Sequence, residues 1–388
     1  MNSIKVTISI LILLFINFIF SYKYLSRYTE FGVFIATALL IFQFFVYKFS
    51  NKITLPVKLK NIICYGMLIF IIGLVIISHF AIPIESLNVD RWSVISSFLT
   101  EFYNGNYPYY AKSHMGNYPG PMPIYFLIAS PFNLLGELSV LSCLGYCIIV
   151  VLLLKKIKQT ENLNFLLVYL FTSIYLIWEI TTRSNIFTLT VLVLLLLNEF
   201  ANLKNNNTFK FYILAIFTGL LLSTRSVYIL PYIVFFLSSL INNEITFKKL
   251  FIFVSIAFII FVATFIPFIY FFYNDFFIMN PFIIQSSFLI PKLYTLIFIL
   301  ISILLTFLTK NKTDKLFYSG LSLFIAILIY SIYHLINYGY EVSFINSKID
   351  ISYFIFCIPF LIMYLINLDN NKDYKTTIAN TGNRCTNS

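Results

Sequence analysis

The feature that most constrains this chain is a recurrence of apolar runs, each about as long as a bilayer is thick, along nearly its whole length. They lie at residues 4–20, 31–47, 62–82, 138–154, 163–178, 185–201, 209–223, 227–241, 250–273, 291–309, 316–336 and 351–367. A helix needs roughly 20 apolar residues to cross a hydrocarbon core of about 30 Å, so several of these runs are short for a straight crossing. A water-soluble fold is excluded, because 60% of the residues are hydrophobic and 11% charged, against roughly 25% charged in soluble domains. The expected fold is all-α, a polytopic transmembrane bundle of about 12 spans. It forms a single domain over residues 1–368, followed by a polar tail, 369–388, whose composition is that of a disordered segment. The first run carries only Lys5 and no small-x-small cleavage motif before Ser21, so it reads as a retained helix.

Lysines cluster between the runs, at Lys48, Lys52, Lys58 and Lys60, then Lys155, Lys156 and Lys158, then Lys204 and Lys210, then Lys248 and Lys249, then Lys310, Lys312 and Lys315. The positive-inside rule assigns all of them to the cytoplasmic side. It accounts for the net charge of +11 without the continuous basic face that nucleic acid would need, so no nucleic-acid partner is expected. From residue 155 onward two runs separate each pair of clusters, which puts every intervening loop outside. The same count makes residues 83–120 a large outer loop and leaves both termini cytoplasmic. It turns the short, proline-rich stretch 121–135 into a re-entrant or interfacial piece. The implied location is a cytoplasmic (inner) membrane, crossed many times, with the loop 83–120 and any site it carries facing outward. Cys64, Cys143, Cys147, Cys357 and Cys385 form no CxxC pair and no His/Cys cluster, and no carboxylates stand at metal-ligand spacing. The sequence therefore calls for neither a metal nor another cofactor.

Arginines choose the opposite side. Arg27, Arg91, Arg183 and Arg225 map to the outer face or to outer helix ends, and Arg384 lies in the tail. Guanidinium forks match phosphate oxygens, or snorkel singly to lipid headgroups. After Asp90, the residues Val94, Ile95, Phe98, Leu99 and Phe102 recur at helical spacing, predicting an amphipathic helix in the interface. Asp90 opens that helix, where a carboxylate caps exposed amides or serves a site. Glu101, a little over three turns on, faces either the same cavity or solvent. His334 falls near the outer end of run 316–336, level with Asp90. An ionisable residue in a span is a candidate functional group, and a hydrogen bond to a neighbouring helix is the alternative. His114 reads as a solvated loop residue and His79 as interfacial.

Asp90 opening a juxtamembrane helix, Gly105, Pro108 and Tyr109 in NGNYPYY, and Tyr118 and Pro119 ahead of an apolar stretch with Pro131 in ASPF resemble a known pattern. It is that of glycosyltransferase family 87, a branch of the GT-C superfamily of polytopic enzymes using polyprenyl-phosphate sugars. The resemblance is clearest over residues 85–135. Arg183, Ser184 and Asn185 stand where that family has Gly-Gln-x-Asn, with the asparagine kept; Thr224, Arg225 and Pro231 resemble its Lys-Pro element, with arginine for lysine. Asp350, Tyr353 and Pro359 are similar to the last-helix pattern of GT-C enzymes.

The resemblance implies a GT-C-like fold and a hexosyltransferase, mannose being one candidate sugar. It implies transfer with inversion from a polyprenyl-phosphate donor to a glycan or glycolipid acceptor in the lipid bilayer, with Asp90 as base. Arg225, Arg183 and Arg91, joined through the topology by His334, would then face the donor phosphate. Tyr109, Tyr118 and Asn185, with Glu101, would line the acceptor or sugar pocket. Two alternatives share many spans with such an enzyme: a polysaccharide polymerase or ligase, and a transporter or flippase for lipid-linked saccharides. A transporter concentrates ionisable residues at the midplane of broken helices, whereas here they collect at one face. A polymerase usually carries its largest outer loop late in the chain, whereas here it comes early.

Overall fold

The computed structural model describes residues 2–368 apart from 51, 53–54, 158–162, 204–206, 289–290 and 347. Lys158, Lys204 and the tail 369–388 lie outside the described residues. Among the described residues regular structure is helical throughout, with no strand. Three long helices open the fold, α1 (Asn2–Leu25), α2 (Gly32–Ser50) and α3 (Val57–Ala81). A loop leads to α4 (Arg91–Tyr103) and then to α5 (Pro123–Leu134), which turns through 108° into α6 (Ser139–Lys155). Helices α7 (Leu163–Phe171) and α8 (Ile174–Thr181) are one apolar run bent by 46°. Next come α9 (Ile186–Ala201), α10 (Thr208–Leu222), α11 (Ile229–Ile241) and α12 (Phe247–Ala263). Three short helices, α13 (Ile266–Phe271), α14 (Tyr273–Ile278) and α15 (Pro281–Phe288), precede α16 (Lys292–Thr306) and α17 (Lys312–Tyr340). A 3-10 turn over Ile351–Cys357 leads into α18 (Ile358–Asn367).

Five of these helices are long and apolar enough to cross a membrane: α1, α2, α3, α12 running on into α13, and α17. Counting each bent pair as one span gives up to seven. The remaining apolar helices, α9, α10, α11, α16 and α18 with its leading turn, have 10–17 residues. They fall short of the roughly 20 residues of a straight crossing. Outward-facing side chains such as Phe34, Ile69 and Phe251 are large, apolar and exposed, as lipid-facing positions are expected to be.

The run 163–178 gave no sign of the break between α7 and α8. There Asn17 of α1 takes over the lost helical bonds: its Oδ1 accepts from Ile174 N (2.9 Å) and its Nδ2 donates to Thr172 O (3.4 Å). Backbone groups freed inside a bilayer need such a partner. Close helix approach is set by small residues, as is common in membranes. A Cβ at Gly219 of α10 would sit 2.2 Å from Ala257 O of α12, and one at Gly145 of α6 would sit 2.6 Å from Thr188 Cα of α9.

The two ends of the bundle differ chemically. At one end Lys5 pairs with Asp314, Lys315 with Glu244 and Lys156 with Asn367. Lys312 Nζ donates to Asn202 Oδ1 there as well (2.7 Å). These contacts gather the starts of α1 and α17 with the ends of α6, α9 and α18. The other end collects the end of α1, the start of α4, the end of α10 and residues 348–353. As the spacing predicts, α4 is amphipathic: it buries Ile95, Phe98 and Leu99 and leaves Phe102 exposed. The Phe98 ring stacks on Phe126 of α5, 3.6 Å between centroids.

Candidate functional site

A cavity of about 580 Å³ opens at the end of the bundle away from the lysine pairs. Its walls include the last turn of α1, the start of α4, residues 115–121 with Tyr125, Arg225, and the segment 348–353.

Asp90 stands at the N-cap position of α4 but makes no side-chain cap bond. Its Oδ2 instead accepts from Ser113 Oγ (2.9 Å) and Asn117 Nδ2 (2.7 Å). The loop supplying those donors is closed on itself by Ser113 N to Asn117 O (2.9 Å) and turns at Gly116, φ 78°. It is pinned to α4 by a 2.6 Å hydrogen bond between Ser93 Oγ and His114 Nδ1, so His114 is a bonded loop residue, not only a solvated one. The simple cap reading of Asp90 is thereby corrected. Neutral donors hold one carboxylate oxygen, and Oδ1 accepts no hydrogen bond among the described residues.

The neighbouring Arg91 is committed. It donates to Asp350 and to Ser352 Oγ (2.8 Å), and Asp350 also accepts from Ser352 N (3.0 Å). Burial opposes the charge of Asp350, but Arg91 and the hydroxyl and amide of Ser352 hold its carboxyl below the usual range. Burial likewise disfavours the Arg91 guanidinium, and Asp350, joined by Tyr353, Asp90 and Tyr125, more than offsets it, raising its pKa. Arg225 differs. Its guanidinium lies over the rings of Tyr125 (5.2 Å) and Phe356 (5.8 Å), its Nε has no hydrogen-bond partner, and it forms no ion pair among the described residues.

Five cations, Lys23, Arg27, Arg91, Arg225 and Lys348, line the cavity against two carboxylates, Asp90 and Asp350. That surplus favours an anionic ligand. Comparison with protein families, curated proteins and solved structures returns no match. Among the described residues no group of three or more His, Cys, Asp or Glu could hold a metal ion.

Of the residues singled out from the sequence, Asp90, Arg91, Arg225 and Tyr118 line this cavity, and Arg183, His334, Glu101, Tyr109 and Asn185 do not. Arg183 is 1% exposed, in left-handed backbone (φ 58°) between α8 and α9. It donates to Glu137 (3.2 Å) and to the carbonyls of Ser78, Ile82 (3.1 Å) and Thr181 (2.8 Å). The Glu137 side accepts a second partner, His79, at 3.2 Å. His334 is buried among the rings of Tyr330, Tyr333 and Tyr338. Glu101, on α4, accepts from Asn106 Nδ2 (2.8 Å) in the turn just past the end of that helix. Tyr109 is fully buried against Phe98 and donates to Pro121 O (3.3 Å), and Asn185 is buried ahead of α9. The expected convergence of Asp90, Arg183, Arg225 and His334 is thus reduced to Asp90 and Arg225. Depth along a span is readable from sequence, but the direction in which a side chain leaves its helix bundle is not.

Lys23 and Lys348 were missed. Lys23 carried a signal: it sits at the end of the first run that the lysine count places outside, where positive charge is disfavoured.

Proposed function

We propose that this chain is a membrane glycosyltransferase that moves a sugar from a polyprenyl-phosphate donor to a hydroxyl of a glycan or glycolipid acceptor, with Asp90 as base. The observation that carries the reading is the presence, in one cavity, of a carboxylate and a guanidinium neither of which forms an ion pair among the described residues: Asp90 and Arg225. In the transfer the acceptor oxygen bonds to the anomeric carbon as the bond from that carbon to the phosphate oxygen breaks, which inverts the centre. The hydroxyl proton passes to Asp90, and the departing lipid phosphate takes the bonding electrons. A positioned base and cations at the leaving group are what this step requires. Asp350 is less suited to the base role, since Arg91 and Ser352 already occupy its oxygens. Tyr118 and Tyr125 offer the sugar apolar faces beside polar groups.

In this reading the cavity faces outward from a cytoplasmic membrane, the lysine end faces the cytoplasm, and the five shorter apolar helices cross as well, to make twelve spans. A GT-C-like arrangement of the interfacial α4 over the bundle follows from the same reading. The test is to incubate the purified protein with a panel of polyprenyl-phosphate sugars and measure loss of lipid donor. Consumption of one donor in the presence of acceptor is expected. Transport of intact lipid-linked sugar across vesicles without any consumption would replace the enzyme with a flippase.

A further inference from the structure

The carboxylate of Asp90 is drawn away from the partners that its place in the chain offers. At the N-cap position of α4 it could accept from the free amides of the first turn, as carboxylates there commonly do, yet it makes no such bond. It does not take the neighbouring guanidinium either, since Arg91 donates to Asp350 and Ser352. The loop 113–117 holds its Oδ2 instead, through two neutral donors, Asn117 Nδ2 (2.7 Å) and Ser113 Oγ (2.9 Å).

That loop is closed without the help of the Asn117 side chain. Ser113 N donates to Asn117 O (2.9 Å), Gly116 N to Ser113 O (2.8 Å) and Asn117 N to Ser113 Oγ (3.1 Å). His114 fixes the loop to its surroundings: it is hydrogen-bonded to Ser93 Oγ (2.6 Å), donates from Nε2 to Leu87 O (3.2 Å) and stacks on Trp92 of α4, 5.4 Å between centroids. Among the described residues the side-chain amide of Asn117, which lines the cavity, makes one hydrogen bond, and its partner is Asp90.

Resting on the glycosyltransferase reading above, we infer that Asn117, with Ser113 beside it, is a positioning residue of the reaction: it holds Asp90 by Oδ2 so that Oδ1 takes the acceptor's proton. That proton reaches Oδ1 as the acceptor oxygen bonds to the anomeric carbon and the lipid phosphate leaves with the electron pair. Without the Asn117 donor the carboxylate is free to turn back to the amides of α4, and the reaction loses an aligned base.

The test is turnover of a polyprenyl-phosphate sugar by the full chain in lipid nanodiscs, for Asn117→Ala, Asp90→Asn and the double variant, with a thermal melt to confirm that each folds. Asn117→Ala should lower kcat about 10–100-fold, the scale of displacing a reacting group by about 1 Å, and leave the KM for donor unchanged. In the Asp90→Asn background the same substitution should change the residual rate by less than about twofold, because no base remains to be held. If Asn117→Ala does not fold, Ser113→Ala and its double with Asp90→Asn report the same coupling. A near-wild-type kcat in folded Asn117→Ala, or an equal loss in both backgrounds, overturns the positioning role and leaves Asp90 as base. Wild-type turnover by Asp90→Asn removes the base and the inference together, and consumption of no donor by the wild type removes the glycosyltransferase reading on which both rest.

Discussion

Arg183 offers the sharpest separation of a structural from a ligand-binding arginine. It is 1% exposed and ties three parts of the bundle together: Ser78 and Ile82 at the end of α3, Glu137 in the bend between α5 and α6, and Thr181 at the end of α8. Removing its guanidinium in Arg183→Met leaves the Glu137 side chain, 9% exposed, buried without its strongest cation. It also leaves three carbonyls without their donor. Breaking a buried pair from one side costs about 3–5 kcal/mol, much of it the penalty on the stranded partner. The double variant Arg183→Met with Glu137→Gln removes that stranded charge and should recover part of the loss, a coupling of about 1–3 kcal/mol. The assay is thermal unfolding of the purified protein in detergent for both singles and the double, alongside binding of a polyprenyl-phosphate lipid. Lipid affinity of the folded fraction should be unchanged. A stable Arg183→Met protein that has lost lipid binding would refute the reasoning and return Arg183 to an anion site.

Asp350→Asn removes the carboxylate that holds Arg91; with the pair's side chains 16% and 31% exposed, the loss should be about 1 kcal/mol, below that of a fully buried pair. Because the carboxyl of Asp350 is depressed in the fold, its contribution is complete above the unfolded value of about 3.9 and lost as pH falls through the lower folded value. Melts should therefore show a constant gap between wild type and Asp350→Asn from about pH 7 to 5 that closes below about pH 4, and a gap persisting at lower pH would contradict the pair. Gly219→Ala forces a Cβ to within 2.2 Å of Ala257 O, so α10 must move from α12 at a loss of about 1–3 kcal/mol, and an unchanged melt would show the contact to be looser. For orientation, single cysteines placed at Lys155 and Arg27 in a chain lacking its natural cysteines should react differently with a membrane-impermeant reagent on intact cells. Only position 27 should label, and labelling of position 155 alone would invert the bundle.

Much of the architecture was legible because the physical signal is periodic and local. Runs such as 62–82, 209–223 and 291–309 reappear as α3, α10 and α16 within a few residues. The oddity of 121–135 was visible too, and it becomes the α5 side of a 108° turn. The break in run 163–178 was hidden because apolar continuity says nothing about backbone bonds, and the side chain that repairs it, Asn17, lies 157 residues away from Ile174. The same limit governs the site. Asp90, Arg91, Arg225 and Tyr118 were found because their chemistry stands where the cavity opens, whereas Arg183 and His334 turn into the protein. Lys23 was overlooked since a lone lysine ending a span resembles a headgroup anchor, and its burial depends on Ile349 and Phe344, brought in from the far end of the chain.

The central claim, that Asp90 accepts the proton of the attacking hydroxyl, is tested most directly by turnover of a lipid-linked sugar by Asp90→Asn. Asparagine keeps the size of the side chain and an acceptor for Ser113, so folding and donor binding should match the wild type. It can no longer take a proton, and the rate should fall by about 10²–10⁴-fold. Turnover near the wild-type rate by a well-folded Asp90→Asn protein would contradict the account and leave the cavity without its base.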